Sequence, residues 1–139
     1  MKLINLFLFL FLLGCVSCKS PEENIPNESI QIIPLPNSYE LKPGSFCMTG
    51  QTTIGIDTSD PAMVALAEYF NEKTSDATGF SLPVGDSGTI VFQLGDYKEL
   101  GEEGYQLSVS SGKLVLSAYK HHGIFNGCTV FDFISGGSS

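Results

Sequence analysis

Between Tyr105 and Ile134 the chain passes from one hydrophobic period to another. Tyr105, Leu107 and Val109 alternate with Gln106, Ser108 and Ser110. Successive side chains on a strand point to opposite faces, so this spacing predicts a strand with one buried face. Ser111-Gly112 supplies a reversal, and Leu114, Leu116 and Ala118 return on the same face. Lys113 and Ser117 point outward, with Val115 an apolar exception. The segment is a β-hairpin. From about His122 to Ile134 the period lengthens: Ile124, Gly127, Cys128 and Phe131 recur at helical spacing.

Upstream, Met63, Leu66, Ala67 and Phe70 fall at i, i+3, i+4 and i+7, the stripe of a helix lying on a sheet. Asp57-Thr58-Ser59-Asp60-Pro61 starts this helix, because a Ser or Asp cap followed by proline is the favoured order. Gly79 stops it. Thr89 to Leu94 is the most apolar strand and the candidate for the sheet centre. Shorter strands are predicted at Tyr39–Lys42, Ser45–Met48, Thr52–Ile56 and Phe80–Val84. Pro34 and Pro36 confine the apolar entry segment from Ile30 to an edge or covering strand. The order of elements predicts an α+β fold: a mainly antiparallel sheet with two helices packed on one face.

The N-terminus follows a different pattern. Met1-Lys2 precedes an apolar run, Leu3 to Leu13, broken only by Asn5. It is shorter than the ~20 apolar residues that span a bilayer and has the flanks of a secretory signal. Leu12-Leu13-Gly14-Cys15 reads as a lipobox, with Val16-Ser17-Cys18 as a second candidate. Cys15 and Cys18 are therefore the lipidation candidates. Pro21 to Glu28 is polar and acidic and too poor in apolar residues to fold. The expected organisation is a lipoprotein signal over residues 1–18, a polar tether over 19–29, a folded domain over 30–134 and a small-residue tail over 135–139. The expected location is the bacterial cell envelope, exported and held at the membrane through the lipid anchor.

Charge and candidate chemistry narrow the function. The net charge is −8 and every basic residue is lysine, which argues against nucleic acid as a partner. Glu102-Glu103 is an adjacent carboxylate pair in a polar loop and reads as solvated charge. His121 and His122 are neighbours, and metal ligands on a helix want spacings such as i, i+4. No metal, cofactor or catalytic residue is expected. An oxidising compartment permits a disulfide between Cys47 and Cys128, although both read more simply as small buried apolar residues. Among the tyrosines that could stack on sugars, Tyr97 alone lies clearly in a loop.

Five pieces of sequence carry a resemblance. They are Ile32-Ile33-Pro34-Leu35-Pro36, Thr52-Thr53-Ile54, the Ala65–Phe70 helix with Thr78-Gly79-Phe80-Ser81-Leu82-Pro83-Val84, Gly101-Glu102-Glu103-Gly104-Tyr105-Gln106-Leu107, and Gly123-Ile124-Phe125-Asn126-Gly127. In this order they resemble the N-terminal, non-catalytic domain of bacterial β-N-acetylhexosaminidases of glycoside hydrolase family 20. The resemblance implies an accessory domain that supports a catalytic (β/α)8 barrel acting on N-acetylhexosaminides. It also implies an adjacent Asp-Glu pair on that barrel, where the Glu is the general acid and the Asp orients the substrate's 2-acetamido group. A barrel needs about 200 residues or more, so this chain is expected to lack it and to be inactive alone. Phe125 and Phe133, off the inward stripe of the second helix, are the expected barrel contacts. The alternative is a free-standing lipoprotein domain that binds glycan or an envelope protein.

Overall fold

The computed structural model describes residues 36–40 and 45–135, with side chains up to residue 130. The expected signal and tether, the entry segment at residues 30–35 and the tail at 136–139 lie outside the described residues.

The described residues form five strands and two long helices: β1 (Ile54–Gly55), α1 (Pro61–Thr78), β2 (Val84–Gly85), β3 (Ile90–Leu94), β4 (Tyr105–Val109), β5 (Leu114–Ala118) and α2 (His121–Ser135). A 3-10 turn at Lys98–Leu100 interrupts the loop between β3 and β4. The strand order is β2-β1-β3-β5-β4, which puts β3 at the centre as its composition predicts.

The α+β class holds, but the sheet is mixed rather than mainly antiparallel. Among the described strands only the β4–β5 hairpin is antiparallel, while β1–β2, β1–β3 and β3–β5 are parallel. Connectivity is the reason. A crossover element returns the chain in its original direction, and α1 is such a crossover between β1 and β2. The next loop, Asp86 to Thr89, then passes over β1 to reach its far side. Gly55 and Gly88 meet at that crossing, where a Cβ on Gly55 would come 2.7 Å from the Ser87 carbonyl carbon. Glycine at both positions permits the backbones to touch.

Other expectations change in extent. The strand expected at Thr52–Ile56 shrinks to Ile54–Gly55, and the one at Phe80–Val84 becomes Val84–Gly85. Ser45–Met48 is irregular, although Phe46 and Met48 still pack against the core. In the Tyr39–Lys42 segment, Tyr39 and Glu40 form no strand, and Leu41 and Lys42 lie outside the described residues.

Helix α1 begins and ends as its sequence predicts. The Asp60 carboxylate accepts from the Ala62 and Met63 amides, Pro61 occupies the first turn, and Gly79 closes the helix at φ 75°. A left-handed C-terminal residue suits glycine. The buried stripe is Met63, Ala67, Phe70 and Thr74, with Leu66 half-buried at its edge.

Both helices cover the sheet face made by Ile90, Phe92, Leu114, Leu116 and Ala118, all of them buried. Phe70 meets Phe92 edge to face, with ring centroids 5.3 Å apart. Such a pair adds about 0.5–1.5 kcal/mol beyond the area it buries. From α2, Ile124 and Cys128 complete the core, and Gly127 lets the helix backbone settle on the Leu116 side chain.

Candidate functional site

Among the described residues, the exposed large apolar side chains are Tyr39, Phe80, Val84, Val109 and Phe125, and Phe125 is the one that stands on a helix. Phe125 on α2 is 41% exposed. Its ring lies 5.5 Å from that of half-buried Tyr69 on α1, tilted by 39°. The two aromatics bridge the helices into one ridge. Ile124 and Cys128 are buried against the sheet, and Phe125, about 100° around the helix from Ile124, stands on the flank of α2 that meets Tyr69 of α1. The side chain of Phe133 lies outside the described residues.

Two segments of the resemblance come together beneath this ridge. Gly123, in the first turn of α2, lies against the Gly104 carbonyl, and its missing Cβ would fall 2.7 Å from the Ala118 Cβ. One turn on, the Asn126 side-chain amide donates to the Glu103 carbonyl at 2.9 Å. These contacts fix the start of α2 to the loop before β4. Glu102 and Glu103 are exposed, so their carboxylates face solvent while the backbone does the holding.

The helix starts are joined as well. His121 Nε2 lies 2.7 Å from Asp60 Oδ2, while Asp60 Oδ1 accepts from the Ala62 amide at 2.9 Å and the Met63 amide at 3.3 Å. The His121 hydrogen bond, aided by these backbone amides, holds the Asp60 carboxyl below the usual carboxylate range. His122 is exposed and takes no part. Among the described residues, no three His, Cys, Asp or Glu side chains converge to form a metal site.

A second bracket secures α1. The Asn71 amide donates to the Leu82 carbonyl at 3.0 Å and accepts from the Leu82 N–H at 2.8 Å. Neither Asn71 nor the Asp60–His121 pair stands out in the sequence. Each is a polar residue whose partner is brought near only by the tertiary fold.

The remaining candidates are occupied structurally. Tyr97 folds over Gly95 and its hydroxyl accepts from the Gln93 amide at 3.0 Å. These contacts brace its loop. Tyr105 is half-buried, and burial pushes its hydroxyl pKa up. Tyr119 carries the Lys120 ammonium over its ring at 4.5 Å. A shallow depression of about 380 Å³ lies between the end of β1, the middle of β3 and Asp86, beside Asp57. The Asp57 carboxylate is bonded by Ser59 and that of Asp86 by Thr58. Cys128 is buried as expected, but Cys47 is exposed rather than buried, and the two are not joined in a disulfide.

With this geometry in place, comparison with known proteins identifies the domain. The family model for glycosyl hydrolase family 20, domain 2, matches residues 29–134. The chain belongs to that family. Among solved structures it is similar to the family 20 β-N-acetylhexosaminidase of Streptomyces coelicolor, at 30% identity and a TM-score of 0.65 over 71% of this chain and 20% of that one. A Streptomyces plicatus β-hexosaminidase mutant in complex with its product GlcNAc aligns at 29% identity and a TM-score of 0.65, again over 71% of this chain and 20% of that one. The exo-β-N-acetylglucosaminidase of Vibrio harveyi, at 24% identity and a TM-score of 0.61, shares the fold over 73% of this chain and 15% of that one. The family 20 domain 2 chain thus spans a fifth or less of the length of these structures. No match was found among curated proteins.

Proposed function

We propose that this family 20 domain is a non-catalytic accessory domain of a β-N-acetylhexosaminidase-type glycoside hydrolase, and that its partner is a catalytic (β/α)8 barrel acting on N-acetylhexosaminides. The supporting observation is the pairing of a domain 2 match over residues 29–134 with an exposed aromatic ridge at Tyr69 and Phe125. Aromatic residues are enriched at the buried centres of protein interfaces. The sheet and its hairpin act as a rigid back, and the contacts at Gly104, Gly123 and Asn126 hold α2 in place for docking. Phe133, further along α2, is the second barrel contact in this reading.

In this reading the described residues of the domain supply no acid, base or nucleophile to the reaction. Glu102 and Glu103 are neighbouring loop residues on the solvent side, whereas a catalytic pair must flank a substrate in a cleft. Attachment through Cys15 or Cys18 would place the enzyme at the bacterial envelope.

The test is an assay of the purified chain on a chromogenic N-acetyl-β-glucosaminide. No turnover above a buffer control is expected. Turnover that persists through purification would overturn the non-catalytic reading.

A further inference from the structure

Helices α1 and α2 both start at the same end of the sheet, because each follows a strand of the same direction, β1 or β5. A helix N-terminus carries partial positive charge and unsatisfied N–H groups. Neither helix has an acidic residue in its first turn. Asp60 lies at the junction of the two. One oxygen caps α1 through Ala62 and Met63, and the other meets His121, the first residue of α2, at 2.7 Å. The latter contact is ionic only when His121 is protonated.

We infer that Asp60 and His121 form a pH-responsive clasp that sets how α2 sits on α1, and with it the Tyr69–Phe125 ridge. Histidine is the side chain whose charge ordinarily changes between pH 5 and 8. With the ring protonated, a carboxylate faces an imidazolium and the bond is charge-assisted. With the ring neutral, the bond loses its ionic share. In strong acid Asp60 itself is protonated and the anion is gone.

Few other groups compete. Asp57 is engaged by Ser59, Lys120 lies over Tyr119, and His122 is exposed. Tyr69 is the titratable group on the inner side of the ridge from α1. Tyr105 is the titratable residue among the helix-facing positions of β3, β4 and β5. Burial raises the Tyr105 hydroxyl pKa.

As regulation of the docking face, this clasp rests on the accessory-domain reading; as a property of the helix pair, it can be measured without the barrel. The experiment is amide hydrogen exchange on the whole chain between pH 5 and pH 8, corrected for intrinsic rates. Residues 123–128 report on the clasp and the last turn of α1 serves as reference. Wild-type protection at 123–128 is expected to fall on the order of fivefold as pH rises, since charge-assisted hydrogen bonds are roughly twice as strong as neutral ones. Asp60→Asn keeps a good cap but removes the charge, and should abolish the slope. His121→Gln keeps an N–H donor without a titratable ring and should do the same. A slope of equal size in wild type and Asp60→Asn, or none in wild type, would overturn the clasp. Either result stands whatever barrel binding shows, so the two readings fail separately.

Discussion

Gly123, in the first turn of α2, lies against the backbone carbonyl of Gly104, just ahead of β4. The missing side chain at residue 123 lets the helix start close to the hairpin. Gly123→Ala should therefore push α2 away from β4 and β5 and cost about 1–3 kcal/mol, as overpacking a fitted core does. Gly112, in the hairpin turn, has open space where a Cβ would stand and no left-handed φ. Gly112→Ala should stay within about 0.5 kcal/mol of wild type. Urea unfolding of the two variants compares them directly.

Two phenylalanines make a sharper contrast. Phe70 is buried edge to face against Phe92, whereas Phe125 is 41% exposed. Phe70→Ala should destabilise the chain by about 3–5 kcal/mol. Phe125→Ala should cost this chain about 0.5 kcal/mol or less. Thermal or urea unfolding decides; equal losses would mean that Phe125 is a core residue.

Acid should act on Asp60. Its folded-state pKa lies below the ordinary value of 3.8, chiefly through the His121 hydrogen bond. A depressed carboxylate contributes stability that is present above its unfolded pKa and is lost as pH falls through the folded one. Melts between pH 2 and pH 5 should therefore show a loss of stability that Asp60→Asn reduces. Carboxyl NMR should place the Asp60 midpoint below that of exposed aspartates.

The two domain cysteines should differ in reactivity. Cys47 is exposed and Cys128 is 2% exposed. Mass mapping after brief alkylation under native conditions should find Cys47 modified and Cys128 protected. In denaturant both should react. Early labelling of Cys128 would contradict its place in the core.

Much of this architecture is legible in the sequence because its signals are local. The alternation from Tyr105 to Ala118 gives the hairpin, and Asp60, Pro61 and Gly79 bound α1. The apolar run at Ile90–Leu94 marks the central strand. Strand direction is not local. It depends on the α1 crossover and on the loop that passes over Gly55, and two-residue strands such as β1 and β2 carry no readable alternation. The exposure of Cys47 is hidden for a related reason, since Phe46 and Met48 reach the core from irregular backbone. Phe125 is legible as a residue off the inward stripe. Asp60 and His121, 61 positions apart, are not legible as a pair.

The accessory-domain account turns on whether the Tyr69–Phe125 ridge receives a barrel. The direct measurement is sedimentation of this chain with a family 20 catalytic barrel from which domain 2 has been removed. Wild type should form a one-to-one complex, and Phe125→Asp, folded by circular dichroism, should weaken it at least tenfold. No complex with wild type, or an equally tight one with Phe125→Asp, would contradict the account.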